Sequence, residues 1–369
     1  MLFKSRWPLR KHLGRSGIPT LISLSFQFVK LVATRREINT LEAVGTPCKK
    51  TFESDVLRIV AFSDYRVQDI HLLLNFVQSL DPNPNLILYA GDDVERFHNG
   101  SENLLEQLAA TTTHGLCAVV GNYVESVAED MNRRVLHVSL AVKRGRDHIK
   151  GVNVYNVHTT PLVIGEFAVI GMEGSPPDEQ FGAMGTVIYP EKSIARHLQL
   201  AAKAVNGKRL LVVSHTPPRG TLDLAIRFGK RSIGSVGLKN FLAKHRDVAL
   251  VVCGHVHFCG GQSKKLGKTT VVNAASHDDF GAAGRVAIIE IRRGKVCDIQ
   301  WRELWELTAI AGIKEARQQK LIEAGIGGVA NLSEAVPEHI KSILKCATGE
   351  GGHIQSTRTG SDCARGGDD

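Results

Sequence analysis

The chain has 369 residues, 43% hydrophobic and 22% charged, so it has room for one large domain and a small one. Its net charge of +9 does not indicate a basic nucleic-acid-binding domain. The first 50 residues hold ten Lys and Arg against two acidic residues, and the rest of the chain is close to neutral.

The N-terminal extension, residues 1–52, precedes the regular pattern and carries this basic charge. Its apolar segment from Ile18 to Val32 is interrupted by Pro19, Gln27 and Lys30 and is shorter than the roughly 20 residues that a membrane span needs. The sequence therefore predicts no integral membrane segment. We expect a disordered extension, with membrane or nucleic-acid contact as the alternative.

The seven cysteines are odd in number and scattered along the chain, which favours a reducing, cytoplasmic environment over a disulfide framework. Cys253 and Cys259 flank a pair of histidines, so they are either metal ligands or packed side chains. Packing is the favoured interpretation, because free cysteines are commonly buried.

A regular alternation of strands and helices begins at Val56. Short apolar runs predict strands, and they are Val56–Phe62, Leu86–Ala90, Leu116–Val120, Phe167–Met172, Leu210–Val213, Val248–Val252, Thr270–Asn273 and Val286–Ile291. Helical patterns lie between several of them, at Gln68–Leu80, Glu102–Thr111, Glu191–Val205 and Val236–Lys244. This order is typical of a layered α/β architecture.

Polar side chains recur where these strands end. Asp64, Asp92, Asn122 and His215 follow the first, second, third and fifth runs, and His255 and His257 follow Val248–Val252. The ends of strands are where such folds place their functional residues. His98, His114 and His277 are also close in sequence, but nothing in their spacing indicates metal ligands, and we expect surface or supporting roles for them.

Five short blocks occur in a fixed order along the chain, namely Ser63-Asp64, Gly91-Asp92-Asp93, Gly121-Asn122, Ser214-His215 and Gly254-His255-Val256-His257. Together they resemble the signature blocks of the calcineurin-like metallophosphoesterases, and the resemblance covers about residues 55–302. It implies a two-sheet β-sandwich flanked by helices, with one or two divalent metal ions such as Mn, Fe or Zn. By this resemblance Asp64 and His257 bind metal 1, Asp92 bridges, and Asn122, His215 and His255 bind metal 2.

Two residues depart from the family pattern. Arg66 stands where the first block has a histidine, so metal 1 loses a ligand, and Tyr123 stands where the third block has one. Arginine cannot ligate a cation, but it holds phosphate through two hydrogen bonds and supplies a positive charge. A tyrosine hydroxyl donates a hydrogen bond but is a poor acid near pH 7, so leaving groups that need no proton are favoured. We therefore predict that Arg66, Tyr123 and Asp92 take part in catalysis.

The segment after Trp301, residues 303–347, changes to a helical pattern that resembles a helix-hairpin-helix unit. Its hairpin would be Gly312, Ile313 and Lys314, whose backbone amides could contact a nucleic-acid phosphate. The segment has nearly balanced charge, so a DNA- or RNA-binding module and a protein-docking module both stay open. The tail, residues 348–369, is rich in Gly, Ser and Thr and is predicted to be disordered.

The sequence thus predicts an α/β protein with a metallophosphoesterase domain at residues 53–302 and a small all-α C-terminal module. The predicted function is metal-dependent hydrolysis of a phosphoester, such as a phosphodiester, a nucleotide or a nucleic-acid-related substrate. The competing hypothesis is a non-catalytic nucleic-acid-binding or scaffold protein that retains the fold.

Overall fold

The computed structural model describes residues 44–67, 69–123, 138–177, 187–226, 229–276, 283–310 and 312–344. The predicted disordered tail and most of the basic extension lie outside these residues, as does His277. None of the helices in the described ranges has the length and apolar content that crossing a bilayer requires.

A seven-stranded sheet forms one half of the molecule. Its strands, in spatial order, are β1 (Cys48–Lys50), β8 (Leu162–Ile164), β9 (Phe167–Met172), β10 (Arg209–Ser214), β13 (Val248–Cys253), β15 (Thr269–Asn273) and β14 (Gln262–Leu266). The β8/β9 and β14/β15 pairs are antiparallel and the other pairs are parallel. Because β1 pairs with β8, the sheet includes residues 48–50. The sequence had assigned these residues to the extension, 1–52, and had started the domain at residue 53.

A six-stranded sheet forms the other half. Its strands, in spatial order, are β17 (Lys295–Leu304), β16 (Gly284–Arg292), β2 (Val56–Phe62), β3 (Leu86–Tyr89), β6 (Leu116–Ala118) and β7 (Val154–Asn156). The four strands from β2 to β7 run parallel. Two further pairs form small hairpins, β4 (His98–Asn99) with β5 (Glu102–Asn103) and β11 (Leu224–Ala225) with β12 (Arg231–Ser232).

The main core lies between the two sheets, because alternate side chains of each strand point to opposite faces. In β2, Leu57, Ile59 and Ala61 pack in the cluster between the sheets, while Val60 and Phe62 pack in the cluster under the helices. The expected two-sheet sandwich flanked by helices is confirmed.

Helices cover the outer face of each sheet. The helices α1 (His71–Gln78) and α2 (Leu104–Ala110) share a core cluster with the six-stranded sheet. The helices α4 (Glu191–Ala204) and α5 (Val236–Lys244) do the same for the seven-stranded sheet, and α3 (Val138–Asp147) precedes β7. These four covering helices are those that the sequence predicted.

The C-terminal helices α6 (Glu315–Glu323), α7 (Val329–Glu334) and α8 (Pro337–Leu344) share a separate cluster, which contains Leu307, Ile313, Leu321, Ile326, Leu332 and Leu344. The expectation that the strand pattern ends near Trp301 is wrong by three residues. β17 continues to Leu304, which pairs with Gly284 and is buried in the core under α1 and α2.

Candidate metal centre

The ends of strands from both sheets meet at one place. Asp64 follows β2 and Asp92 follows β3 in the six-stranded sheet, while His215 follows β10 in the seven-stranded sheet. Each offers one ligand atom, and the three ligand atoms lie within 4.8 Å of one another. All three residues are buried. Two carboxylates and an imidazole in this arrangement form a candidate metal site.

Glycines allow the two sheets to approach each other closely at this point. A Cβ atom on Gly254 would lie 1.9 Å from Ser63 Oγ, and one on Gly121 would lie 1.8 Å from Asp92 Oδ1. Backbone hydrogen bonds fix the neighbouring loops: Ser63 N donates to Ala274 O at 3.1 Å between the two sheets, and Gly254 N donates to His215 O at 2.9 Å within the seven-stranded sheet. The glycines of the predicted blocks are therefore required by the close approach of the ligand-bearing loops.

Asn122 brings two histidines into the same cluster. Its Oδ1 atom lies 2.7 Å from His215 Nε2 and 2.9 Å from His255 Nδ1. His215 Nε2 also lies 3.4 Å from Asp92 Oδ1. Asn122, His215 and His255, the three residues predicted to bind metal 2, are thus in mutual contact, and His215 also reaches Asp92.

The orientation of the His215 ring is fixed by its other nitrogen. Nδ1 lies 2.8 Å from the carbonyl oxygen of Ala90, which can only accept, so Nδ1 carries the proton and Nε2 of the neutral ring carries a lone pair. A backbone carbonyl in this position is the usual way to orient a metal-binding imidazole. The lone pair of Nε2 faces the Asn122 and Asp92 oxygens, and a cation among these atoms would remove their mutual repulsion.

The second group of predicted ligands surrounds Asp64. His257 Nε2 lies 2.9 Å from Asp64 Oδ1, and Asp64 Oδ2 accepts hydrogen bonds from Ser63 Oγ at 2.6 Å and from His255 N at 3.0 Å. Asp64, Asp92 and His257 are the three residues left for metal 1 once the histidine of the first block is absent.

Arg66 lies beside this group and is paired with acidic side chains. Its Nε donates to Asp93 Oδ2 at 2.8 Å, and its Nη2 atom lies 3.8 Å from Asp92 Oδ2. The Arg66 side chain is 39% exposed, so it has access both to the carboxylates and to solvent. Arg66 therefore places a permanent positive charge next to the carboxylate predicted to bridge the metals.

Tyr123 is held at the site through its backbone. Its N–H donates to Asp92 Oδ1 at 2.9 Å, while its side chain is 38% exposed. Asp92 is further fixed by Tyr89, whose hydroxyl donates a short hydrogen bond to the Asp92 carbonyl oxygen.

Several site residues adopt the left-handed backbone conformation. The φ angles are 50° at Asp64, 63° at Asp92, 56° at Asp93 and 65° at His255. Such conformations are uncommon for residues other than glycine and cost of order 1–3 kcal/mol each. The surrounding hydrogen bonds hold these four residues in place against that strain, which is typical of functional sites.

The buried carboxylates respond differently to their surroundings. Burial would raise the pKa of Asp64, but the charge and hydrogen bond of His257, with further help from His215 and Ser63, hold that pKa well below its usual range. Burial raises the pKa of Asp92 to about 6; His215 and the backbone hydrogen bond from Tyr123 oppose this rise, and repulsion from Asp64 and Asp93 adds to it. The site therefore concentrates negative charge, which a bound cation would stabilise.

The donor set fits one divalent ion better than two. Asp92, Asn122, His215 and His255 offer a carboxylate, a carboxamide oxygen and two imidazole nitrogens, which suit Mn, Fe or Zn. The group around Asp64 has two carboxylates and one imidazole, with the guanidinium of Arg66 nearby.

Other residues considered in the sequence lie in different surroundings. Cys253 and Cys259 are buried and donate to backbone carbonyls of Val272 and Leu224, as expected for packed side chains. Gly312 has a φ of 91° and, with Lys314, lies before α6, while Ile313 between them is buried in the C-terminal cluster. Whether the backbone there contacts nucleic acid stays a prediction.

Asp93 was not assigned a role from the sequence, yet it is the main partner of Arg66. Two features of the sequence could have indicated this ion pair. The second block has an additional acidic residue, Asp93, and the first block has the cationic Arg66 in place of a metal ligand. Ala90 was also missed, because a carbonyl that orients a histidine leaves no trace in residue type.

The match to a known family covers mainly the second half of the sandwich. Residues 147–300 match the family model described as metallophosphoesterase, calcineurin superfamily. This range contains His215, His255 and His257, while Asp64, Asp92 and Asn122 precede it. No curated protein matches the chain.

Solved structures with a similar fold are distant in sequence. TT1561 of Thermus thermophilus matches with a TM-score of 0.42 and 17% identity, over 67% of this chain and 99% of that one. A putative 5′-nucleotidase from Staphylococcus aureus, in complex with alpha-ketoglutarate, matches with 0.39 and 13%, over 73% and 58%. The sulfate thiohydrolase SoxB of Thermus thermophilus, in complex with glycerol, matches with 0.32 and 15%, over 74% and 45%.

Proposed function

We propose that this chain is a metal-dependent hydrolase of phosphoesters with a modified binuclear site. The observation that carries the proposal is the convergence of Asn122, His215 and His255 on one point beside Asp92. Two imidazoles and a carboxamide oxygen gathered beside a buried carboxylate, with the His215 ring oriented by the Ala90 carbonyl, are costly to maintain without a cation.

Asp92, Asn122, His215 and His255 would hold one divalent ion firmly, and Asp64, Asp92 and His257 would hold a second one weakly. When bound, such ions supply positive charge to the phosphoryl oxygens and a nucleophile near neutral pH. Phosphoryl transfer needs little covalent chemistry from the protein beyond positioning and charge, so these residues act mainly by fixing the site.

Arg66 would supply part of the positive charge that metal 1 supplies when its ligand shell is complete. Its guanidinium carries five N–H donors in a planar fork, which can bind two phosphate oxygens at once. Held by Asp92 and Asp93 at the edge of the site, it would orient the phosphate and neutralise charge that develops on its oxygens.

Tyr123 would donate a hydrogen bond to the substrate and not a proton, because a phenol is a poor acid at neutral pH. The absence of a good acid favours leaving groups that depart as stable anions. A phosphate leaving group, as in a nucleoside polyphosphate, meets this requirement better than a simple alcohol does.

The experiment that tests the proposal is a turnover screen of the purified full chain with Mn. The panel contains phosphomonoesters, phosphodiesters, nucleoside polyphosphates and DNA, and His215→Ala serves as the metal-deficient comparison. We expect turnover by the wild type that EDTA and His215→Ala both abolish. Wild-type protein that binds metal and turns over none of these classes would favour the competing hypothesis of a scaffold or nucleic-acid-binding protein.

The C-terminal module is a second place where function is proposed. Gly312 is in the left-handed region and the exposed Lys314 precedes α6, but the described segment before Gly312 is the 3-10 turn Leu307–Ala309 and not the first helix of the predicted helix-hairpin-helix. DNA or RNA binding through Gly312 and Lys314 would be lost in Lys314→Glu and retained in Lys341→Glu, measured by fluorescence anisotropy with a labelled duplex and a labelled single strand. Equal binding by both variants would favour the protein-docking alternative.

A further inference from the structure

Several exposed apolar side chains belong to segments that carry or adjoin the candidate metal centre. Among the residues that the structure describes, nine large apolar side chains are exposed. Four of them belong to segments that carry or adjoin the site, and they are Tyr123, Leu224, Ile226 and Phe258. Scattered exposed apolar residues need no explanation, but a group beside a site that binds a ligand usually contacts that ligand.

The covalent structure and the hydrogen bonds fix these segments to the metal centre. Phe258 directly follows His257 and is 53% exposed. The β11–β12 hairpin, which carries Leu224 and Ile226, packs on the 3-10 turn His257–Cys259, where Cys259 Sγ lies 3.8 Å from Leu224 O.

A buried asparagine locks the two segments together. Asn273 Nδ2 donates to Leu222 O at 3.3 Å and to Val256 O at 3.1 Å, so the base of the hairpin and the histidine loop share one donor group. Asn273 is fully buried. The backbone segment that leads into the hairpin is therefore joined to the loop that carries His255 and His257.

Positive charge accompanies this apolar surface. Lys230, next to β12 on the same hairpin, is exposed, and Arg66 lies at the edge of the carboxylate cluster. A ligand that combines a flat apolar part with anionic phosphates is complementary to both features.

We propose that Phe258, with Leu224 and Ile226, forms an apolar wall that binds the nucleoside of a nucleoside polyphosphate while its phosphates lie at the metal centre. The proposal rests on the proposed phosphoester hydrolase function and adds the substrate class. An aromatic ring next to two aliphatic side chains offers a platform on which a nucleobase stacks. Three side chains make a wall too short to cover a long acyl chain.

The experiment compares ATP with inorganic tripolyphosphate, which present similar phosphates and differ by the nucleoside. The full chain loaded with Mn is assayed as wild type, Phe258→Ala, Phe258→Trp and Leu224→Ala. Leu200→Ala is the matched control, since Leu200 on α4 is 39% exposed and Leu224 is 36% exposed.

We expect Phe258→Ala to raise KM for ATP about 10-fold, which corresponds to about 1.4 kcal/mol. KM for tripolyphosphate and both kcat values stay unchanged. Phe258→Trp keeps the wild-type KM for ATP, Leu224→Ala raises it by a smaller factor, and Leu200→Ala has no effect. Equal changes for ATP and tripolyphosphate, or no change for either, overturn the proposal, as does a selective loss on decyl phosphate with ATP unaffected.

Failure of the proposed hydrolase function is distinguished by a binding measurement. If the wild type turns over neither compound, ATP and tripolyphosphate are titrated into wild type and Phe258→Ala by isothermal calorimetry. A 10-fold weaker Kd for ATP alone supports the apolar wall without hydrolysis, and an unchanged Kd for ATP, or no binding of ATP by the wild type, contradicts it.

Discussion

Replacing Arg146 with alanine would leave a buried carboxylate without its cation. Glu173 directly follows β9 and its side chain is fully buried. Arg146 on α3 holds it through a fork, with Nε 3.2 and 3.1 Å from the two carboxylate oxygens and Nη2 2.7 Å from Oε1. Tyr189 also donates to Oε1, at 2.5 Å.

The expected loss follows from two limits. At 2.7 Å and an effective dielectric constant of about 20, the pair attracts with about 6 kcal/mol, and removing one partner of a buried pair costs about 3–5 kcal/mol. We therefore expect a loss of about 3–5 kcal/mol at pH 7.

Urea unfolding at pH 7, followed by circular dichroism, measures this loss. Arg146→Lys should lose less, because it keeps the charge without the fork, and the double variant Arg146→Met/Glu173→Leu should be close to wild type. A loss below about 1 kcal/mol for Arg146→Ala, or a double variant as unstable as Arg146→Ala, would refute the reasoning.

Three further predictions concern the site, the pH dependence and the module. Arg66→His should raise the number of Mn ions retained after dialysis from about one toward two per chain, because imidazole is a good ligand for such ions. A wild type that already retains two ions would contradict this prediction. Burial lowers the pKa of His197 to about 4, so the neutral ring contributes stability that is full above about pH 6.5 and is lost as the pH falls toward 4. Between pH 7 and pH 4, the free energy of unfolding of His197→Phe should therefore fall by about 3 kcal/mol less than that of wild type, measured by urea titration. Parallel pH dependences of the two proteins would disprove this prediction. A chain ending after Glu306 should keep its turnover of small substrates, since residues from Leu307 onward have their own apolar cluster, whereas an insoluble product would show that the module belongs to the core.

The central strands and the candidate ligands could be predicted because both leave a signal in residue type. Strands such as β3 and β13 are buried on both faces and are therefore continuously apolar, and the blocks that follow them are residues that meet at the site. The four edge strands, β1, β7, β14 and β17, were missed, as was the three-residue inner strand β8. In β14 and β17 most side chains are exposed, as in the Gln-Ser-Lys-Lys-Leu sequence of β14, and have no need to be apolar.

The parts of the site that were not predicted depend on contacts between distant segments. Arg66 reaches Asp93, 27 residues away, and Arg146 reaches Glu173 across the end of β9. The stacking of His158 on His197, with ring centroids 3.9 Å apart, joins a loop to α4. No local pattern distinguishes these side chains from solvated ones, because their partners are set by the packing of whole elements.

The most direct measurement of the central claim is the metal content of dialysed protein. Wild type and His245→Ala, which changes a histidine at the end of α5, should each retain about one Mn, Fe or Zn ion per chain. His215→Ala should retain none while keeping the circular dichroism spectrum of the wild type. A wild type without any bound divalent ion, or a His215→Ala variant that retains the same amount as wild type, would contradict the account.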